Sequence, residues 1–154
     1  MTVVVGVSGS PASRWAVAWA LGTARRYGVT LTVVTAYMPP TAGGPYGSMG
    51  AGLGEDARAV VEEAFRDVCG GQPDDVRVEV SCVMSGTGWA LIEAAGPGDL
   101  LVIGSSGRLW GPTRRHCARH ARCPLVIVPC PDAGDLIGHP VRMARRLSRH
   151  PRHH

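Results

Sequence analysis

The chain contains no lysine; its sixteen basic residues other than histidine are all arginine. Without a lysine amine there is no Schiff-base chemistry and no Walker-A cation, which excludes pyridoxal enzymes and ordinary P-loop NTPases. CxxC spacing is missing too. Cys69, Cys82, Cys117, Cys123 and Cys130 form an odd, scattered set, so a reduced, cytoplasmic protein with mostly buried thiols is the simplest account. No apolar run approaches the length of a membrane span, and Met1 leads straight into a strand-like run rather than a signal segment.

Catalytic and metal signatures are equally sparse. Ser8 lies in G-V-S-G-S and Ser106 in G-S-S-G, and neither is the G-x-S-x-G elbow of hydrolases. Ser8, His116 or His120, and Asp99 make a triad only on paper, so no catalytic residue is assigned. His116, Cys117, His120 and Cys123 fit no common zinc spacing. On one helix Cys117 points away from the His116/His120 side, so no metal site is expected.

The formal charge of +4 is unevenly placed: residues 132–154 contribute +3 and residues 1–131 only +1. A near-neutral body argues against a nucleic-acid-binding domain, which carries a basic stripe on its folded part. At 154 residues the chain reads as one domain over residues 1–131, followed by a basic Arg/His-rich tail over 132–154. The tail reads as disordered and solubilising or as a short helix. Contact of its arginines with a membrane or nucleic acid is the less favoured alternative.

Within the body, strand-like and helix-like segments alternate. Val3 to Val7 is a continuous β-branched run. Ser8-Gly9-Ser10-Pro11 follows with turn, N-cap and first-turn chemistry. Trp15, Ala16, Trp19, Ala20 and Ala24 recur at helical spacing up to Tyr27-Gly28, and the two tryptophans read as core. Leu31 to Tyr37 reads as a strand, residues 38–54 as a Gly/Pro-rich mobile loop and Glu55 to Cys69 as a helix. Val76 to Met84 alternates in part and suits a strand nearer the sheet edge. Trp89 to Ala95 makes a short helix, and Leu100 to Ile103 and Leu125 to Val128 are buried strands around a last helix. This order predicts an α/β fold with a parallel, doubly wound sheet and helices on both faces. Ligands in such folds bind beyond the carboxyl ends of the strands, where the strand order reverses.

Gly104, Gly107 and Gly111 lie between the fourth strand and the last helix. Glycine lets backbone approach phosphate closely, and a helix N-terminus turns N–H groups and a positive dipole end toward it. Arg108, Arg114 and Arg115 flank this turn and read either as a solvated helix face or as an attraction for an anion. Trp110, inside the turn, reads as filling space left by a ligand or as a dimer contact.

The segments VVVGVSGSPASRWAVAWALGTARRYGVTLTVVTAY, GTGWALIEAAGPGDLLVIGSSGR and HARCPLVIVP together resemble the universal stress protein family over roughly residues 1–131. The resemblance implies a five-stranded sheet in the order 3-2-1-4-5 and a homodimer joined through the last strand, Leu125–Val128. In one branch of the family it implies ATP held without rapid turnover, on a motif of the form G-x2-G-x9-G-S/T. Gly104 and Gly107 match its first glycines and Gly111 its third, but only Arg108, Leu109 and Trp110 intervene, so the turn is six residues short. Pro112 replaces the hydroxyl residue and lacks an N–H, while Ser8 replaces an Asp. Ala36 matches a position whose backbone faces adenine.

The candidate cleft is therefore Ser8, Gly9, Ala36, Gly104, Gly107, Gly111 and Thr113, the last able either to lend a hydroxyl or to cap the helix. The expectation is a non-catalytic, dimeric stress-response module with a degenerate cleft and no obligatory cofactor. The alternative is a sensor of ATP or another adenine nucleotide, with slow ATPase activity or none.

Overall fold

The computed structural model describes residues 1–37, 50–105 and 111–130, with side chains for all of these except 50–55. Nine elements alternate along it: β1 (Val3–Gly6), α1 (Pro11–Tyr27), β2 (Leu31–Tyr37), α2 (Gly50–Cys69), β3 (Val78–Met84), α3 (Thr87–Ala94), β4 (Leu100–Ser105), α4 (Pro112–His120) and β5 (Leu125–Pro129). The five strands form one parallel sheet in the order β3-β2-β1-β4-β5. The expected α/β class, strand order and edge position of β3 are all realised.

Alternation along the strands divides the core into two layers. Val3, Val5, Leu31, Val33 and Val102 point to one face, where α1 and α2 cover them with Trp15, Leu21, Val61 and Phe65. Val4, Val34, Leu101 and Ile103 point to the other, beneath Ala90, Leu91 and Cys117 of α3 and α4. Helices thus lie on both faces, as a doubly wound sheet requires. Each fully buried Val or Leu contributes about 1.5–3 kcal/mol relative to exposure. Trp15 is buried and Trp19 packs against the same layer, so both tryptophans are core residues.

The helix termini follow from local chemistry. In α1 the Ser10 side chain caps the Ser13 N–H and Pro11 occupies the first turn, where its missing N–H costs nothing. Gly28 closes the helix at φ 64°, the left-handed region that glycine enters without strain, and its N–H reaches Ala24 O. Arg14 Nε donates to Asp67 Oδ2 at 2.7 Å and so ties α1 to α2.

The beginning of α2 corrects the sequence reading. The helix starts at Gly50, not Glu55, so residues 50–54 are not loop. Each helical glycine costs about 1 kcal/mol, but extending an existing helix avoids the nucleation cost, and the amphipathic segment after Glu55 supplies that nucleus. The rest of the expected loop, residues 38–49, lies outside the described residues, as do Gly107, Arg108, Trp110 and the tail 132–154.

Candidate functional site

In the order β3-β2-β1-β4-β5 the chain winds outward from β1 to β3, then crosses back to β4 beside β1. The carboxyl ends of β1 and β4 therefore flank the point where the winding reverses. Ser8 and Gly9 follow β1, Gly104 and Ser105 end β4, and Gly111 and Thr113 begin α4. Ala36 reaches the same rim from β2. The pairing of β1 with β2 ends at Gly6–Val34, whereas β2 continues alongside β3 to Tyr37–Met84. Ala36 thus projects beyond the last paired residue of β1. Six of the seven sequence-derived positions come to one edge of the sheet; the seventh, Gly107, lies outside the described residues.

The β1–α1 turn is a small network of serines. Ser8 Oγ and Ser10 Oγ are 2.9 Å apart and hydrogen-bonded, and the Ser10 N–H donates to Ser8 Oγ at 3.3 Å. The hydroxyl of buried Ser13 reaches back to Ser8 O at 2.6 Å and Ser10 O at 2.9 Å. The turn is held by its own polar groups, and it carries no carboxylate.

The three described glycines of the site differ in kind. A Cβ on Gly104 would lie 2.2 Å from the carbonyl oxygen of Ala12, so glycine is obligatory where α1 crosses β4. Among the described residues an added Cβ at Gly9 or Gly111 would meet nothing within 4 Å, and neither residue has positive φ. Gly104 is a packing glycine; the other two have no close neighbour among the described residues.

The start of α4 is poor in hydrogen-bonding groups. Gly111 is its N-cap without a side-chain bond, and Pro112 stands in the first turn with no N–H to offer. Thr113 lies inside the helix and is not its cap. Arg114 brings a cation to the rim, with Nη1 donating to Ser105 Oγ at 3.0 Å.

The residues of the paper triad do not meet. Asp99 precedes β4, at the amino end of the sheet, where its Oδ1 accepts from Thr2 N–H and its Oδ2 from Gly96 N–H, both at 3.0 Å. Ser8 follows β1 at the opposite end. Cys117 is buried among core residues, its thiol pushed up to about 11 by burial, while the His116 and His120 rings are in tilted contact, 4.6 Å between centroids. Among the described residues no group of three or more His, Cys, Asp or Glu is placed to hold a metal ion.

Sequence reading missed one arrangement. Trp89 of α3 lies 4.8 Å from the His116 ring, centroid to centroid, and is 64% exposed. A Cβ on Gly88 would come within 2.8 Å of that imidazole, so a glycine lets α3 and α4 close together. The available signal was the short G-W spacing in α3 opposite the paired histidines of α4.

Comparison with known proteins accords with this geometry. The model of the "Universal stress protein family" matches residues 1–129. Universal stress protein Rv2623 of Mycobacterium tuberculosis is 31% identical over 155 residues, a match covering 90% of this chain. The chain spans 50% of that relative's length. A universal stress protein crystallised in complex with cAMP is 25% identical, with TM-score 0.54, over 85% of this chain and 98% of its own. A family member from Burkholderia pseudomallei superposes with TM-score 0.64 at 22% identity, over 84% of this chain and 96% of its own. Among the described residues no helix is long and apolar enough to cross a membrane.

Proposed function

This chain belongs to the universal stress protein family, and on that premise we propose that it is a non-catalytic, dimeric stress-response module whose inherited nucleotide cleft is degenerate. The observation that carries this reading is the N-terminus of α4. Pro112 occupies the position where the family's ATP-binding branch supplies a hydroxyl and an N–H, and the N-cap residue, Gly111, has no side chain to cap the helix. Across the cleft, Ser8 spends its hydroxyl on Ser10 where that branch carries an acid. Each charge-assisted hydrogen bond lost is worth about 1.5–3 kcal/mol, so two losses weaken triphosphate binding by two decades or more.

Homodimerisation is proposed through β5. It is an edge strand whose Leu125, Val126 and Ile127 are only half-buried in one copy, and an unpaired edge is a template for another strand.

A second reading has one specific observation in its favour. The relative at 25% identity is crystallised in complex with cAMP, a smaller anion than ATP, and the space left by the described residues at Gly9 and Gly111, together with Arg114, suits a monophosphate. On this reading the chain senses an adenine monophosphate or cyclic nucleotide.

Isothermal titration with ATP·Mg²⁺, AMP and cAMP separates the readings. Failure of all three to bind at micromolar concentrations supports the degenerate module, and cAMP or AMP binding alone supports the sensor. Micromolar ATP binding overturns the first reading. Absorbance near 260 nm in the small-molecule fraction released from purified protein is an independent check.

A further inference from the structure

The near-neutral total charge of the body conceals a local excess. Residues 111–130 contain four arginines and no acid. On α4, Arg114 turns inward to Ser105 and Cys117 enters the core, so Arg115 and Arg119, one turn apart, face solvent. Arg122 extends the row just past the helix, with Nη2 donating to Ile92 O at 3.3 Å, which fixes it against α3. Beside this row the rings of Trp89, His116 and His120 form a chain of tilted ring contacts, with centroid spacings of 4.8 and 4.6 Å and interplanar angles of 48° and 43°. Trp89, at its outer end, is 64% exposed. The single acid of α3 is Glu93.

A cationic row beside an exposed aromatic plane is the chemistry that binds unpaired bases on a phosphate backbone: arginines follow the phosphates while bases stack on rings. We propose that the outer face of α3 and α4 binds single-stranded nucleic acid, with Arg115, Arg119 and Arg122 on phosphates and Trp89 under a base. A second copy of the chain fits this face poorly, because a twofold contact would set one arginine row against the other. A membrane surface fits it poorly as well. An interfacial helix sets large apolar residues beside its cations, and the exposed positions of α4 outside the basic residues hold only Pro112 and Ala118. The proposal is independent of the nucleotide cleft, since it uses the outward side of α4 and not its N-terminus.

The test is fluorescence anisotropy of the full chain with a labelled oligothymidylate about 12 nucleotides long. Three phosphate contacts predict that log affinity falls against log salt with a slope of about −2. Arg115→Glu/Arg119→Glu is expected to weaken binding at least tenfold and flatten the slope by about 1.4. Trp89→Ala is expected to weaken it about tenfold with an unchanged melting curve. Arg58→Glu/Arg66→Glu makes the same change in net charge on exposed positions of α2, behind the other face of the sheet, and is expected to cost no more than about threefold. Three results overturn the proposal. One is no binding at low salt. Another is an α4 variant that binds no worse than the α2 variant, which places any binding in residues 131–154. The last is polyglutamate competing as well as the oligonucleotide while Trp89→Ala changes nothing, which assigns the face to an acidic protein.

Discussion

The carbonyl oxygen of Ala12, in the first turn of α1, occupies the space that any side chain on Gly104 of β4 would need, 2.2 Å from where a Cβ would be. This contact seats the N-terminus of α1 on β4 beside the reversal point of the sheet. By resemblance Gly104 also matches the first glycine of the family's phosphate motif, but the contact the structure shows at this residue is packing.

Gly104→Ala is accordingly expected to destabilise the fold by about 3 kcal/mol, the upper range for overpacking, because backbone and not a flexible side chain must move. For a domain of this size that lowers the thermal midpoint by about 10 °C. Gly9→Ala and Gly111→Ala, at positions with no close neighbour among the described residues, are expected to stay within about 0.5 kcal/mol of the parent. Urea unfolding of the three variants makes the comparison, and equal effects would show that the α1–β4 contact is unimportant.

The proposed degeneracy of the cleft predicts that returning the family's groups raises nucleotide affinity. Pro112→Ser returns an N–H and a hydroxyl to α4, and Ser8→Asp returns an acceptor to the β1–α1 turn. At about 1.5–3 kcal/mol per charge-assisted bond, the double variant is expected to bind ATP·Mg²⁺ at least tenfold more tightly than the parent by calorimetry. An unchanged affinity would move the defect from these two positions to the shortened turn.

Thiol chemistry checks the core beneath α4. Burial pushes Cys117 up to about 11, so at pH 8 about one molecule in a thousand carries the thiolate, and the sulfur is also shielded. Ellman's reagent is expected to miss Cys117 in the native protein while modifying exposed Cys69, and to count five thiols in guanidinium. Peptide mapping after native labelling identifies the residue, and modified Cys117 would contradict its burial.

The Arg25–Asp75 pair sets an acid limit. Arg25 Nη2 donates to Asp75 Oδ1 at 3.0 Å and its Nε to Oδ2, and this hydrogen bonding holds the carboxyl below its ordinary value of 3.8. A depressed folded pKa means stability that is fully present above the unfolded value and lost as pH falls through the folded one. Arg25 is raised and stays charged throughout, so it adds no pH dependence there. The stability advantage of the parent over Asp75→Asn is expected to be constant above about pH 5 and to shrink below 3.8. Thermal melts across that range check the sign.

Much of this protein was determined by local sequence. Apolar runs, β-branched from Val3 to Val5 in β1, set most of the strands, Ser10-Pro11 and Gly28 bounded α1, and the strict alternation of elements imposed a parallel sheet with its rim at Ser8 and Gly104. Those features depend on neighbours a few residues away, and the sequence displays such neighbours directly. The helical Gly50–Gly54 segment escaped notice because its stability comes from the helix that follows, not from its own residues.

Tertiary structure alone decided the long-range contacts. That Gly104 answers to Ala12, that Asp99 stands at the opposite end of the sheet from Ser8, and that the Trp89 ring meets His116 all join residues far apart in the chain. The arginines of α4 make the same point for charge. Summed along the sequence they nearly cancel against acids elsewhere, but Coulomb interactions act through space, and folding gathers Arg115 and Arg119 on an exposed face of α4 that holds no acid of its own.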